Sequence, residues 1–279
     1  MPELPEVEAV VRTLRPMVEQ RRIRCVHVLH AIATKPQLPS CLTRMAAGQR
    51  IRAVLRRGKY LCLQLGRGLV TLHFKLDGQL LWFSSPAKMF EVANQKDTGV
   101  HVDVAFEFDR GVLGFADGRH FGRVQAWESE AACPALAALG IDAISPEFTR
   151  PQFAKLLSAS KRPLKDFLLD QTRIAGIGNI YSCESLWHAK LDPRRRANPL
   201  NAGEVRRLHK AIVSVLARAL ECCLHPAPDF RDSEWWFQGL ENILRVYGRE
   251  VKACRRCGNV IKRIAQSGRS TYFCAHCQK

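Results

Sequence analysis

Four cysteines near the end of the chain, Cys254, Cys257, Cys274 and Cys277, stand in the spacing C-x2-C-x16-C-x2-C. Each C-x2-C pair suits a tight turn that aims two thiolates at one ion. Four thiolates close a tetrahedral zinc shell and leave no open position, so one structural Zn2+ is expected, not a catalytic one. Between the pairs runs "VIKRIAQSGRSTYF", with Ser267–Gly268 suited to a hairpin turn. Arg269 then follows the turn, where it could reach a phosphate. A second group is "TRIAGIGN", between two helical patterns. Gly176 and Gly178 let backbone N–H groups approach an anion closely. Asn179 is expected as the N-cap of the next helix, its side chain within reach of a phosphate at that terminus. The third group is the opening "MPELPEVE", which crowds Pro2, Pro5, Glu3, Glu6 and Glu8 where chain ends usually fray.

These groups need elements to hold them. Val7, Val10, Val11, Leu14 and Val18 recur at helical spacing behind Pro5 and its glutamates, which predicts a helix over residues 5–18. From about residue 23 to 127 the period changes to two, in stretches such as "RIRAVLRRGKYLCLQL" and "VHVDVAFEF" broken at glycines. That predicts an antiparallel β-sandwich. Residues 128–148 read as a short helix and a Pro-marked linker. The period then returns to 3.6, with helices expected at 149–158, 163–171, 179–189 and 203–223 and a last one over 232–240. The fold class is α+β: an N-terminal β-sandwich with a leading helix (1–130), a helical domain (131–243) and a cysteine ribbon (244–279).

Composition narrows the function. Lys plus Arg number 43 against 26 Asp plus Glu, a formal charge of +17 over 279 residues. Such a field attracts polyanions, nucleic acid first. An apolar fraction of 47% supports a sizeable core and excludes global disorder. No run approaches the ~18–20 apolar residues of a membrane span, and no basic-then-apolar leader opens the chain. A soluble cytoplasmic protein with no membrane partner is expected. In such a chain the other seven cysteines read as small buried hydrophobes.

The stretches "MPELPEVEAV", "RRGKYL", "HFKLDG", "FADGRHFG", "LLDQTRIAGIGNIYSCESL", "VYGRE" and "CRRCG…GRSTYFCAHCQK" occur in one order along nearly the whole chain. Together they resemble the formamidopyrimidine-DNA glycosylase / endonuclease VIII family. The resemblance implies a base-excision repair enzyme that removes oxidised bases and nicks the strand. It also implies a helix–two-turn–helix element and a zinc finger, with double-stranded DNA in a cleft and a monomeric enzyme. On this pattern Pro2 is the nucleophile. Removal of Met1, expected ahead of a small residue, leaves a secondary amine. Its reference pKa of roughly 7.7–8.0 gives a substantial neutral fraction at physiological pH. Attack on C1′ expels the base, and the resulting iminium acidifies the C2′ proton for β,δ-elimination. Glu3 is the implied general acid/base. Lys59 shares the catalytic set, and Glu6 and Glu184 support it. His73, Arg119, Asn179 and Arg269 are the implied DNA contacts. Leu76, Phe121 and Lys165 lie where the family fills the void or meets the lesion.

The chain also departs from the pattern. The family's HLGMSG loop is "HFKLDG", with Leu76 in place of the methionine and Lys75 and Asp77 altering the charge. The DPRRFG loop is "DGRHFG", with Gly118 and His120 substituted. Residues 225–240 lack the expected Gly-Gly start. The opening favours 8-oxoguanine, whereas the loops favour oxidised pyrimidines, hydantoins or abasic sites. The alternative function is an abasic-site lyase or a damaged-DNA-binding homologue with little base excision.

Overall fold

The computed structural model describes residues 2–94, 99–232, 237 and 239–279. Packing groups them into two compact units. The first holds Met1–Pro2, Glu6–Ala137 and Pro226–Phe237; the second holds Glu3–Pro5, Ala138–His225 and Gln238–Lys279.

In the first unit, α1 (Leu4–Val18) turns Val7, Val10, Val11, Leu14 and Val18 into the core, the stripe its spacing predicts. Next come β1 (Cys25–Val28), α2 (Pro39–Ala46), β2 (Ile51–Arg57), β3 (Tyr60–Leu65), β4 (Leu69–His73), β5 (Gln79–Phe83), α3 (Pro86–Asn94), β6 (Val102–Glu107), β7 (Val112–Ala116), β8 (Arg123–Trp127) and α4 (Pro134–Ala137). Two four-stranded sheets form, ordered β1-β6-β7-β5 and β2-β3-β4-β8, and every pairing is antiparallel. Leu72, Leu80, Val104, Phe106 and Phe115 are fully buried in the core of this unit. The all-strand expectation for 23–127 misses α2 and α3. Both are short, and both open on a proline at or near the first turn, where a missing N–H costs nothing.

The second unit contains β9 (Ile141–Asp142), α5 (Arg150–Ser158), α6 (Leu164–Leu169), β10 (Ile174–Ala175), α7 (Asn179–Ala189), α8 (Ala202–Cys223), α9 (Leu240–Ile243), β11 (Lys262–Gln266) and β12 (Arg269–Phe273). α8 starts on a reciprocal cap: Glu204 N donates to Asn201 Oδ1 and Asn201 N to Glu204 Oε2, each at 2.9 Å. Its Leu208, Ile212 and Leu216 are fully buried, each such burial stabilising the fold by about 1.5–3 kcal/mol. The four helices expected from 149 to 223 are present. The helix expected over 232–240 falls largely outside the described residues. β11 and β12 pair across Ser267 and Gly268, both at positive φ (49° and 73°), which a two-residue hairpin turn of this hand requires. Among the described residues no helix is long and apolar enough to cross a membrane.

Of the seven scattered cysteines, Cys62, Cys133, Cys183 and Cys223 are buried as expected, whereas Cys25, Cys41 and Cys222 are only partly covered.

Candidate functional site

The zinc cluster is built as its spacing predicts. The four sulfurs lie within 4.8 Å of one another, with Cys254–Cys277 at 4.0 Å and Cys257–Cys274 at 3.6 Å. Tetrahedral zinc–sulfur bonds of about 2.3 Å place sulfurs about 3.8 Å apart. Trp187 Nε1–H donates to Cys254 Sγ at 3.4 Å, and Arg256 N donates to the same sulfur at 3.5 Å. Such donors stabilise thiolates, so the donor set fits a structural zinc. The ribbon packs on α7: Cys183, Trp187, Val246, Ile261 and Cys274 share one buried cluster, and the Arg256 guanidinium lies 3.8 Å from the Trp187 ring centroid.

The Gly-rich turn is shaped around the start of the chain. Glu3, 1% exposed, lies against the N-terminus of α7, where Oε1 accepts from Ile180 N at 2.9 Å and Oε2 from Tyr181 N at 3.4 Å. This carboxylate takes the place of a cap. Asn179 is therefore not the N-cap: Gly178 holds that position with no side-chain bond, and Asn179 is the first helical residue. A Cβ on Gly178 would sit 2.2 Å from Glu3 Cδ, and one on Gly176, whose φ is +101°, would sit 2.3 Å from Leu4 Cδ1. Leu4 N also donates to Gly176 O at 3.2 Å. Both glycines thus serve close approach of residues 3 and 4. A glycine standing where a capping side chain belongs was the available sign that an acceptor arrives from elsewhere. Pro2, the residue before Glu3, is buried.

Ser270 joins three of the expected contacts. Its carbonyl accepts from Lys165 Nζ at 2.9 Å and from Asn179 Nδ2 at 3.0 Å, and its neighbour is the exposed Arg269. Lys165 is fully buried, and Nζ also donates to Thr271 Oγ1 at 2.6 Å. Burial pushes its ammonium below the usual lysine range, while Cys183 and Asp166 pull it back. Lys165 is thus a strut beneath the Arg269 hairpin in this structure, a placement the spacing did not reveal. Asn179 Oδ1 is buried without a hydrogen-bond partner. Glu184, 2% exposed, accepts from Arg245 N (2.8 Å), Val246 N (2.9 Å) and Tyr247 N (2.8 Å). It fixes the "VYGRE" segment to α7.

The remaining site residues belong to the strand unit. Lys59 follows Gly58 in the β2–β3 hairpin and is 8% exposed. Glu6, in the first turn of α1, is 3% exposed. His73 closes β4, its ring 4.6 Å from that of Tyr60. Burial, with help from Lys75 and Lys59, pushes the His73 imidazole down to about 3. Its Nδ1 accepts from Lys75 N at 3.0 Å, which leaves Nε2–H as a neutral donor. Leu76 and Phe121 are 38% and 50% exposed, each on a loop tip. Arg119 forms an ion pair with Asp77, so the two altered loops are tied to each other. Asp117 organises the second loop, accepting from Arg119 N at 3.0 Å and Gly122 N at 2.6 Å.

Comparison with known proteins agrees with this construction. Residues 1–124 match the formamidopyrimidine-DNA glycosylase N-terminal domain, 139–224 the formamidopyrimidine-DNA glycosylase H2TH domain, and 252–279 a zinc finger found in FPG and IleRS. A formamidopyrimidine-DNA glycosylase of Carboxydothermus hydrogenoformans is 38% identical over 280 residues, covering all of both chains. Among solved structures, MutM in complex with carbocyclic 8-oxo-G containing DNA superposes with a TM-score of 0.85 at 30% identity. Lactococcus lactis Fpg (MutM) with an oxidised-pyrimidine-containing DNA gives 0.85 at 29%. Both structures cover this chain, and are covered by it, in full. The chain belongs to the formamidopyrimidine-DNA glycosylase family.

Proposed function

We propose that this chain excises oxidised bases from double-stranded DNA, as a monomer, through a covalent bond from the Pro2 nitrogen. As a member of its family it is a DNA glycosylase with AP lyase activity; the steps below are our reading. The freed Pro2 amine attacks C1′, and the bond from C1′ to the base breaks as the base leaves with a proton. The C1′–O4′ bond then opens, O4′ taking a proton from Glu3 as the nitrogen lone pair forms the C=N bond, and the product is a ring-opened proline iminium. Loss of the C2′ proton drives out the 3′ phosphate, and a second elimination releases the 5′ phosphate. Glu3 handles the protons. Lys59, His73, Asn179 and Arg269 hold phosphates, with Lys165, Glu6 and Glu184 in support. Leu76, Arg119 and Phe121 occupy the space that the extruded nucleotide leaves. The zinc takes no part in these steps; it holds the Arg269 hairpin. The division 1–130, 131–243 and 244–279 is the functional segmentation we adopt.

The observation that carries this reading is the Glu3 carboxylate, seated on the α7 N-terminus directly after Pro2, with Gly178 making room for it. Borohydride trapping on duplexes with one defined lesion tests it. A covalent adduct with an abasic duplex is expected, together with base release from at least one of 8-oxoguanine, 5-hydroxyuracil and hydantoin duplexes. No adduct with any of them contradicts the reading. The Asp77–Arg119 pair favours a second reading, an abasic-site lyase with weak excision, because Arg119 is already engaged. Adducts confined to the abasic duplex would select it.

A further inference from the structure

Beside the turn that carries Arg119 and Phe121 lies a cluster that the proposed chemistry does not use. Asp103, on β6, is fully buried. Its Oδ1 lies 2.7 Å from His120 Nδ1 and 3.1 Å from His30 Nδ1, while its Oδ2 is buried without a hydrogen-bond partner. The His30 and His120 rings are 4.8 Å apart, and the His101 ring is 6.2 Å from that of His120. The three ligand atoms of His30, Asp103 and His120 all lie within 4.8 Å of one another. The two imidazoles keep 47% and 32% of their side-chain surface in solvent, so an ion can reach them.

The backbone places these groups in advance. Leu29 N and His30 N both donate to Asp103 O, at 2.9 and 3.1 Å. His120 N donates to Asp117 O at 3.1 Å, and Asp117 N to His101 O at 2.9 Å. His120 itself takes a left-handed φ of 54°, uncommon outside glycine, in the conformation that brings its ring to Asp103. Three segments therefore deliver one side chain each to one point, each tied there by backbone hydrogen bonds.

We propose that His30, Asp103 and His120 form a second metal site, for a borderline divalent transition ion such as Zn2+, Ni2+ or Co2+, which ties the Arg119–Phe121 turn to the strand edge. Two imidazoles and one carboxylate suit such ions, whereas Mg2+ and Ca2+ seek all-oxygen shells. Three protein ligands leave room for water. A buried carboxylate with one unpartnered oxygen is costly, and a dication satisfies it more completely than two hydrogen bonds to the other oxygen. The site holds no thiolate, so it is spectroscopically distinct from the four-cysteine cluster. The importance of the turn rests on the proposed function, but the site itself does not.

The test uses the full-length, tag-free protein, without DNA, prepared with one zinc per chain. Co2+ is added, unbound metal is removed, and cobalt and zinc are counted per chain. One retained zinc and one added cobalt are expected, with weak visible bands and no near-ultraviolet thiolate charge transfer. His30→Ala and His120→Ala should each lose the cobalt and keep the zinc. Asp103 is avoided as a test position because its burial ties it to the fold. A chain that binds no cobalt beyond its zinc, or that exchanges zinc for cobalt, overturns the proposal. So does cobalt binding left unchanged in both histidine variants. None of these outcomes bears on the Pro2 chemistry, which is read by trapping.

Discussion

The buried polar residues of the helical unit and the loop residues of the strand unit are held in opposite ways. In the helical unit Glu3, Lys165 and Glu184 are at most 2% exposed, and each holds hydrogen bonds to fixed groups. In the strand unit Leu76, Arg119 and Phe121 sit on loops, with Leu76 and Phe121 well exposed. Arg119 is paired with a residue the family pattern lacks, Asp77. Under the proposed function, chemistry common to every substrate falls to buried, hydrogen-bonded positions, where a change of one atom is felt, and contacts that select a substrate fall to loops, where sequence change costs little stability.

The largest expected break of this contrast is on the ribbon. Cys274→Ala removes one of four zinc ligands, and structural zinc contributes on the order of 10–16 kcal/mol to folding such modules. We expect zinc to fall from one per chain to none, fast hydrogen exchange over 250–279, and loss of DNA binding; a retained ion would place the zinc elsewhere. Next, Gly178→Ala forces a Cβ to within 2.2 Å of Glu3 Cδ. Displacing a catalytic group by about 1 Å costs roughly 10²-fold in rate, so single-turnover strand cleavage should fall by about that factor with zinc retained. The matching change in the strand unit, Gly118→Ala, meets only His101 Cδ2 at 3.5 Å, an ordinary contact. It should change cleavage by no more than about twofold. Equal effects at the two glycines would erase the contrast.

Acid should find both units through their histidines. Burial pushes His73 down to about 3 and, with Arg218, Arg256 and Arg245 nearby, His188 down to about 4. Below the unfolded value of about 6.5 the unfolded chain binds protons that the folded chain refuses. Stability contributed by these neutral rings is present above about pH 6.5 and is lost as pH falls toward 4. After allowance for their partial exposure, each contributes below about 1 kcal/mol per pH unit. Urea midpoints from pH 7 to 4.5 should drop less steeply in His188→Gln than in the parent; identical slopes would show that His188 titrates normally. The smallest effect is expected at Asp77→Asn. Releasing Arg119 from an exposed pair is worth at most about 1 kcal/mol. Abasic-duplex affinity should rise up to about fivefold, as the freed Arg119 reaches the space the extruded nucleotide leaves. Unchanged affinity would remove Arg119 from the DNA-contacting set.

Much of this architecture was legible in the residues. The apolar stripe Val7–Val18, the period-two run and the cysteine spacing each reflect a local rule, and the helix, the strands and the cysteine cluster formed where those rules placed them, with α2 and α3 interrupting the strand run. What escaped depends on partners distant in sequence. Glu3 caps a helix that begins about 175 residues later, and no window around either end contains that fact. Lys165 reads as a solvated lysine until β12 covers it with Thr271 and the Ser270 carbonyl. Asn179 looks like a cap by type and position, yet the carboxylate of Glu3 supplies the acceptor to the α7 N–H groups instead. The His30–Asp103–His120 cluster unites three segments of the strand unit, and none of the three residues signals the others.

The central claim is that the nucleophile is the amine of Pro2, and the most direct measurement is the mass of the trapped site. After borohydride reduction on an abasic duplex and digestion, the peptide beginning at Pro2 should carry the reduced deoxyribose remnant, and protein that retains Met1 should give none. A remnant found on a lysine, or full strand cleavage by chains that still carry Met1, would contradict the account.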